Sequence, residues 1–271
     1  MPADLNAYLA RIDYQGALTP TAETLRGLHF AHVCAIPFEN LTPWQGLPVP
    51  LDLPALEQKL VHDRRGGYCY EQNWLFASVL TQLGFAVTPL LARVRWQVPT
   101  EVVTGRSHLC LRVEIDGGPW LADVGFGGVG PTEPLRLDTE GPQSTSHDRR
   151  RLVPQSDGTV LHQLETEPDT WADLYRLETV AAPPIDVEVA NWFTSTHPDS
   201  LFRNHLIVTR VQPDHRRALH DREFTRRYRD GRTERCEVGD LAGLQSLLAD
   251  EFGLPHAWPF PGGLRLPTPA A

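Results

Sequence analysis

Apolar positions in the first ninety residues recur at helical spacing. One such run covers residues 5–12. A second starts at Thr21, whose hydroxyl suits an N-cap, and lines Leu25, Leu28, His32 and Val33 along one stripe. A third predicted helix spans 53–62, after the proline-rich segment LPVPLDLP. A fourth begins near Tyr68, just past the Gly66–Gly67 pair, and runs to Leu83, where Gly84 is a natural stop. From Ala86 the pattern changes to short β-branched and apolar runs: VTPLLARVRW, HLCLRVEI and PWLADVGF. The last two are joined by Asp116-Gly117-Gly118, a hairpin signal. Further strands are predicted at 151–154, 159–164 and 174–178. After Pro183–Pro184 the pattern is mixed, with a helix at 187–193, strands at 206–211 and 223–229, a turn at Asp230–Gly231 and a helix over 241–252. From Pro255 the chain reads as loop, with a disordered end LPTPAA.

This order predicts an α+β protein without internal repeats. A helical part covers residues 1–85, an antiparallel sheet or small barrel 86–184 and a mixed α/β part 185–271. The 41% hydrophobic and 22% charged content of the 271 residues excludes disordered and fibrous classes. The longest uncharged stretch, 72–92, contains Gln82, Gly84 and Pro89 and reads as a buried helix plus a strand, not a membrane span. No basic segment leads into an apolar run at the N-terminus, so no signal peptide is expected. A net charge of −9 argues against nucleic-acid partners; any anionic ligand must be held by local arginines and backbone N–H groups. The four widely spaced cysteines suit neither a disulfide scaffold nor a zinc site, and a reduced cytoplasmic setting fits them best.

The segment RRGGYCYEQN holds the most chemistry. Two glycines permit a tight turn, after which Cys69 falls in the first turn of a helix. Helix N-terminal N–H groups stabilise a thiolate there, with Arg64 and Arg65 adding positive charge, and a thiolate is the form that attacks an acyl carbon. His108 starts one strand of the predicted hairpin and Asp123 ends the next, so antiparallel pairing makes them cross-strand neighbours. A cysteine facing an imidazole that a carboxylate orients is the generalised catalytic triad. Cys110 lies on the same strand face as His108. Successive positions on one face diverge, however, and no second Cys/His pair completes a metal tetrahedron, so no metal is expected. Cys34, on the core face of the second helix, and Cys236, in a late strand, read as structural. His29 and His32 read as helix-packing residues, and His197, His205 and His256 as loop or strand-edge residues.

With these residues assembled, the chain resembles the arylamine N-acetyltransferases over nearly its whole length. Tyr8-Leu-Ala-Arg11-Ile12, His32 to Leu41 (HVCAIPFENL), Arg65-Gly-Gly-Tyr-Cys69, Ser107-His108, Asp123-Val-Gly-Phe-Gly127 and Asn191 to Pro198 (NWFTSTHP) resemble that family's motifs in order. The resemblance implies a helical bundle, barrel and lid, with the Cys69–His108–Asp123 triad at the bundle–barrel junction. It further implies ping-pong transfer of an acetyl group to an arylamine, arylhydroxylamine or hydrazine. Acetyl-CoA would be a co-substrate, with no tightly bound cofactor. Glu39 and Arg65 would form a buried ion pair that fixes the nucleophile loop. Phe38, Phe126 and Ser107 would face the acceptor, and Thr104, Gly105 and Gly127 would approach CoA. Two other readings use the same order of residues: a transglutaminase-like enzyme or thiol hydrolase, and an amide synthase of this fold that closes a macrolactam.

Overall fold

Asp4, Thr21 and Asp52 each accept a backbone N–H three residues on, at 3.0, 3.2 and 3.1 Å, and so start three of the N-terminal helices. These are α1 (Leu5–Arg11), α2 (Ala22–Ala35) and α4 (Leu53–Glu57); the short α3 (Leu41–Trp44) and α5 (Cys69–Gln82) complete the bundle. The computed structural model describes residues 2–115, 117–256, 258, 260 and 263–267. Asp116 of the hairpin signal and residues 268–271 of the C-terminal end lie outside them. The sequence predicts one continuous helix over 53–62, but its last part, Gln58–His62, widens into a π turn closed by Asp63 N–H on Gln58 O at 2.8 Å. Lys59 O then takes the Arg65 N–H at 3.0 Å, which anchors the chain just before Cys69. Leu25 and Leu28 of α2, Leu56 and Leu60, and Leu75, Phe76, Val79 and Leu80 of α5 form a core shared with Leu111, Val113 and Trp120 of the barrel.

The barrel strands are β2 (Ala86–Val94), β3 (His108–Ile115), β4 (Gly118–Ala122), β5 (Leu135–Arg136), β6 (Gln143–Ser144), β7 (Arg149–Pro154), β8 (Val160–Glu167) and β9 (Thr170–Leu177). All neighbouring pairs are antiparallel, in the order β5-β4-β3-β2-β9-β8-β7-β6. Between the outer strands β5 and β6 the Gln143 amide replaces a ladder. It accepts from Arg136 N–H at 2.7 Å and donates to Arg136 O at 2.8 Å, so the sheet is nearly closed.

The last segment holds α6 (Pro184–Thr196), α7 (Leu201–Asn204), α8 (Leu241–Asp250) and four strands: β10 (Ile207–Val211), β11 (His215–His220), β12 (Glu223–Tyr228) and β13 (Thr233–Glu237). Strand β11 (HRRALH) escapes sequence detection because much of its surface is polar and half-exposed, which erases the alternation; β13 is the late strand expected around Cys236, which is exposed there. Phe38–Glu39 (β1) of the first segment is the edge strand of this sheet, with Phe38 opposite Thr209 and Glu39 opposite Val208. The sequence boundary at 185 is therefore not a boundary in hydrogen bonding. Among the described residues no helix is long and apolar enough to cross a membrane.

Candidate active site

The chain enters α5 through a close crossing of backbones. Glu39 N–H donates to Gly67 O at 3.0 Å, and a Cβ on Gly66 would sit 2.1 Å from Pro37 O. The two glycines are thus required by close approach. The left-handed residue of this segment is Arg64, with φ 52°. Cys69 follows as the first residue of α5 and is buried, 3% exposed. Its sulfur lies 3.8 Å from Ser107 O. Glu71 returns to accept the Tyr68 N–H at 3.0 Å, which pins the helix start.

The arginines here do not serve the sulfur as expected. Arg64 is exposed, and the buried Arg65 is engaged by Glu39 at 2.7 Å and Thr42 Oγ1 at 3.1 Å. Lys59, which the sequence reading passed over, sits 2.6 Å from Glu71 and 3.8 Å from Glu39. Burial pushes the Glu71 carboxyl up and Lys59 pulls it back. Two carboxylates and two cations thereby brace the loop that leads into Cys69.

The positive charge that meets Cys69 comes from His108, the first residue of β3. Its Nε2 lies 2.8 Å from Asp123 Oδ2, and the Cys69 side chain is near enough to act on the ring. The ladder pairs Leu111 with Ala122 and then ends. Continued by one step, that register sets Asp123 opposite Cys110, so His108 and Asp123 are diagonal neighbours on one face and not direct partners. Burial alone would depress the His108 pKa. The Asp123 carboxylate and Cys69 outweigh it and raise the value to about 10, so His108 is an imidazolium at neutral pH. Burial likewise opposes ionisation of Asp123, but His108, Asn73 and the Gly125 N–H hold its carboxyl well below the usual range. Cys110 is a different case: burial and the nearby Asp123 and Cys69 keep its thiol well above the ordinary value, and it donates to Leu90 O at 3.8 Å.

Several supporting residues were not read from the sequence. Asn73, one turn beyond Cys69 on α5, donates to Asp123 Oδ1 at 3.0 Å and Leu109 O at 2.7 Å and accepts from Val124 N–H at 3.0 Å. Its i+4 spacing from Cys69 is the signal that could have found it. His29 is more than a packing residue: Nε2 accepts from Asp123 N–H at 3.2 Å while Nδ1 donates to Thr132 O at 3.1 Å. Burial lowers its pKa to about 4, which keeps it neutral for that role. Behind the loop, the Tyr8 hydroxyl meets His32 Nδ1 at 2.7 Å, and His32 Nε2 meets Gln72 Oε1 at 2.9 Å. Gln72 then donates to Pro37 O and Gly67 O. Phe126 meets the His108 ring edge-on at 5.1 Å, and the Tyr175 ring of β9 lies 4.9 Å away.

The residues assigned to ligands are spread over both sides of this centre. Phe38 is buried against Phe202 at 5.8 Å, and Gly127, at φ 73°, lies on the Phe38 ring, where a Cβ would come within 2.7 Å. Ser107 contributes its carbonyl to Cys69. The Thr104 hydroxyl donates to Val94 O at 2.9 Å, whereas Gly105 is exposed with open space around its Cα.

Residues 21–257 match the family model described as N-acetyltransferase. The chain is 43% identical over 258 residues to the arylamine N-acetyltransferase of Mycobacterium tuberculosis H37Rv, covering 94% of this chain and 90% of that protein. It is 39% identical over 255 residues to the arylamine N-acetyltransferase / N-hydroxyarylamine O-acetyltransferase of Salmonella typhimurium LT2, with 94% and 90% covered. Among solved structures, Mycobacterium marinum arylamine N-acetyltransferase in complex with CoA superposes with a TM-score of 0.88 at 43% identity, covering 93% of each chain.

Proposed function

The chain belongs to the arylamine N-acetyltransferase family, and from that premise we propose that it moves an acetyl group from acetyl-CoA to an arylamine, arylhydroxylamine or hydrazine through an acetyl-Cys69 intermediate. The observation that carries the intermediate is the pairing of His108 Nε2 with Asp123 Oδ2 at 2.8 Å beside Cys69, which favours the charged form of the ring. An imidazolium at a helix N-terminus favours the thiolate beside it.

In the first half-reaction the Cys69 thiolate attacks the thioester carbonyl. The carbon–sulfur bond to CoA breaks, the departing sulfur takes the His108 proton, and Cys69 is left acetylated. In the second half the amine nitrogen attacks the acetyl-enzyme and gives its proton to the now neutral His108. Cys69 leaves as thiolate, and the ion pair is restored. Asp123 fixes the ring and stabilises its charged form. The first N–H groups of α5 have no acceptor within the helix, and we assign them to the developing oxyanion. Phe126, edge-on to His108, and Phe38 offer apolar surface to a flat acceptor. Thr104, Gly105 and Gly127 are the proposed approach of CoA, with Gly105 the exposed backbone among them. All four cysteines are free, in keeping with a reducing cytoplasm.

Incubation with acetyl-CoA alone, followed by intact-mass measurement, tests this reading. The expected result is one acetyl group gained and CoA released, with no gain in Cys69→Ala. A protein that stays unmodified and releases no CoA, even with an arylamine present, would overturn it.

A further inference from the structure

Away from Cys69, two histidines and a carboxylate meet where the residue after α7 approaches the turn between β11 and β12. His205 Nδ1 lies 2.7 Å from Asp221 Oδ2, and His220 Nδ1 lies 3.5 Å from the same oxygen. The three donor atoms are all within 4.8 Å of one another. Their backbone is held. Asp221, at φ 52°, donates its N–H to Leu206 O at 2.7 Å and accepts Leu206 N–H on Oδ1 at 2.8 Å, which leaves Oδ2 directed to the imidazoles. His205 O accepts from Asn40 Nδ2 at 2.7 Å, and its N–H donates to Leu201 O at 2.8 Å. The outer side is open, with the His220 side chain 58% exposed.

We propose that His205, His220 and Asp221 form a surface site for a divalent transition-metal ion of the zinc class, its remaining position open to water. Two imidazole nitrogens and one carboxylate oxygen are the donor set that suits such ions; oxygen-seeking magnesium and calcium want more oxygens than this cluster supplies. Ligands on a tetrahedral ion with bonds of about 2.0 Å stand about 3.3 Å apart, which the His220–Asp221 separation nearly matches. The His205–Asp221 pair must open by about half an ångström to match that spacing. To bind through Nδ1 the His205 ring carries its proton on Nε2, so a proton held between Nδ1 and Asp221 is exchanged through solvent for one on Nε2. The sequence does not announce this site because the donors lie fifteen residues apart; the β10–β11 ladder, which pairs Ile207 with His220, brings them together. A bound ion ties the end of α7 to the β11–β12 turn. That helix carries Phe202, whose ring packs on Phe38 and Tyr68 beside Cys69.

The test titrates Zn2+ or Co2+ alone into a Cys69→Ala/Cys236→Ala protein, which removes the nucleophile and the exposed thiol as competing ligands. Calorimetry, the Co2+ visible spectrum and the thermal midpoint are the readouts. The expected result is one ion per chain, a midpoint that rises with metal concentration, and affinity lowered by more than about tenfold in His220→Ala and in His205→Ala. His220 is exposed, so its alanine variant tests the site without disturbing the core. Absence of a bound-Co2+ spectrum together with no midpoint shift overturns the proposal, and so does binding that persists unchanged in His220→Ala.

Discussion

Asn73 Nδ2 donates to Asp123 Oδ1 at 3.0 Å from the turn of α5 that follows Cys69. One helix therefore presents the sulfur and also holds the carboxylate that orients His108. Asn73→Ala leaves Leu109 O and Val124 N–H without their side-chain partner and frees Asp123 to turn. It is expected to lower stability by about 2–3 kcal/mol in urea unfolding. Acetyl transfer is expected to fall by ~100-fold, because the His108 ring loses its fixed geometry.

If His108 supplies the charge beside Cys69, alkylation of Cys69 by iodoacetamide depends on that residue. In the native protein the rate at Cys69 at neutral pH is expected to exceed that of Cys110, whose thiol burial keeps protonated. His108→Gln is expected to make Cys69 react slowly at that pH. Peptide-level mass spectrometry separates Cys69 from the exposed Cys236. An unchanged Cys69 rate in the variant would contradict the ion pair.

Stability is expected to fall on both sides of a maximum near pH 6.5. His29 and His32 are buried and neutral, with pKa values lowered to about 4 and about 3 from an ordinary 6.5. Their contribution is full above 6.5 and is lost as pH falls toward those values. His108 is raised to about 10, so its contribution is full below 6.5 and is lost as pH rises through 10. Each group gives a slope of about 1.4 kcal/mol per pH unit inside its window. Urea midpoints against pH should show a shallower acid limb in His32→Gln and a shallower alkaline limb in His108→Gln.

Two glycines of the candidate site should respond in opposite ways to alanine. A Cβ on Gly125 would lie 2.7 Å from Asn73 Nδ2 and 2.8 Å from Cys69 Cα, so Gly125→Ala is expected to cost about 1–3 kcal/mol and most of the activity. Gly105 has nothing within 4 Å of such an atom. Gly105→Ala is expected to leave the thermal midpoint within about 1 °C of the parent, the result expected of an exposed position. Any rise in KM for acetyl-CoA in Gly105→Ala then reports contact with the ligand and not damage to the fold.

The legible parts of the fold were those where local signals agree. Thr21 caps α2 as its hydroxyl predicts, and α5 stops at Gln82 before Gly84. The helix–barrel–mixed order followed from a change in hydrophobic period at Ala86. The polar strand β11 was not legible, because its period is hidden by residues such as Arg216 and Arg217. Strand β1 was not legible either, since two residues carry no period at all. At the candidate site, Cys69, His108 and Asp123 stood out by residue type and by their place at element ends. Lys59, His29 and Tyr175 did not, because each is joined to the site across 12 residues or more by packing that no spacing records.

By itself the sequence singled out the groups proposed to carry the chemistry and the local elements that present them. A cysteine after two small residues at a helix start, a histidine and an aspartate on neighbouring strand ends, and the ordered motifs around them were enough to name the family. Tertiary structure decided the state of those groups. Their charges depend on what is buried beside what: Asp123 lifts His108 despite its burial, Glu39 and Thr42 take Arg65 away from the sulfur, and Gly66 is set by a carbonyl 2.1 Å from where a Cβ would be. Desolvation and Coulomb interaction act through space, over distances that a linear chain does not encode.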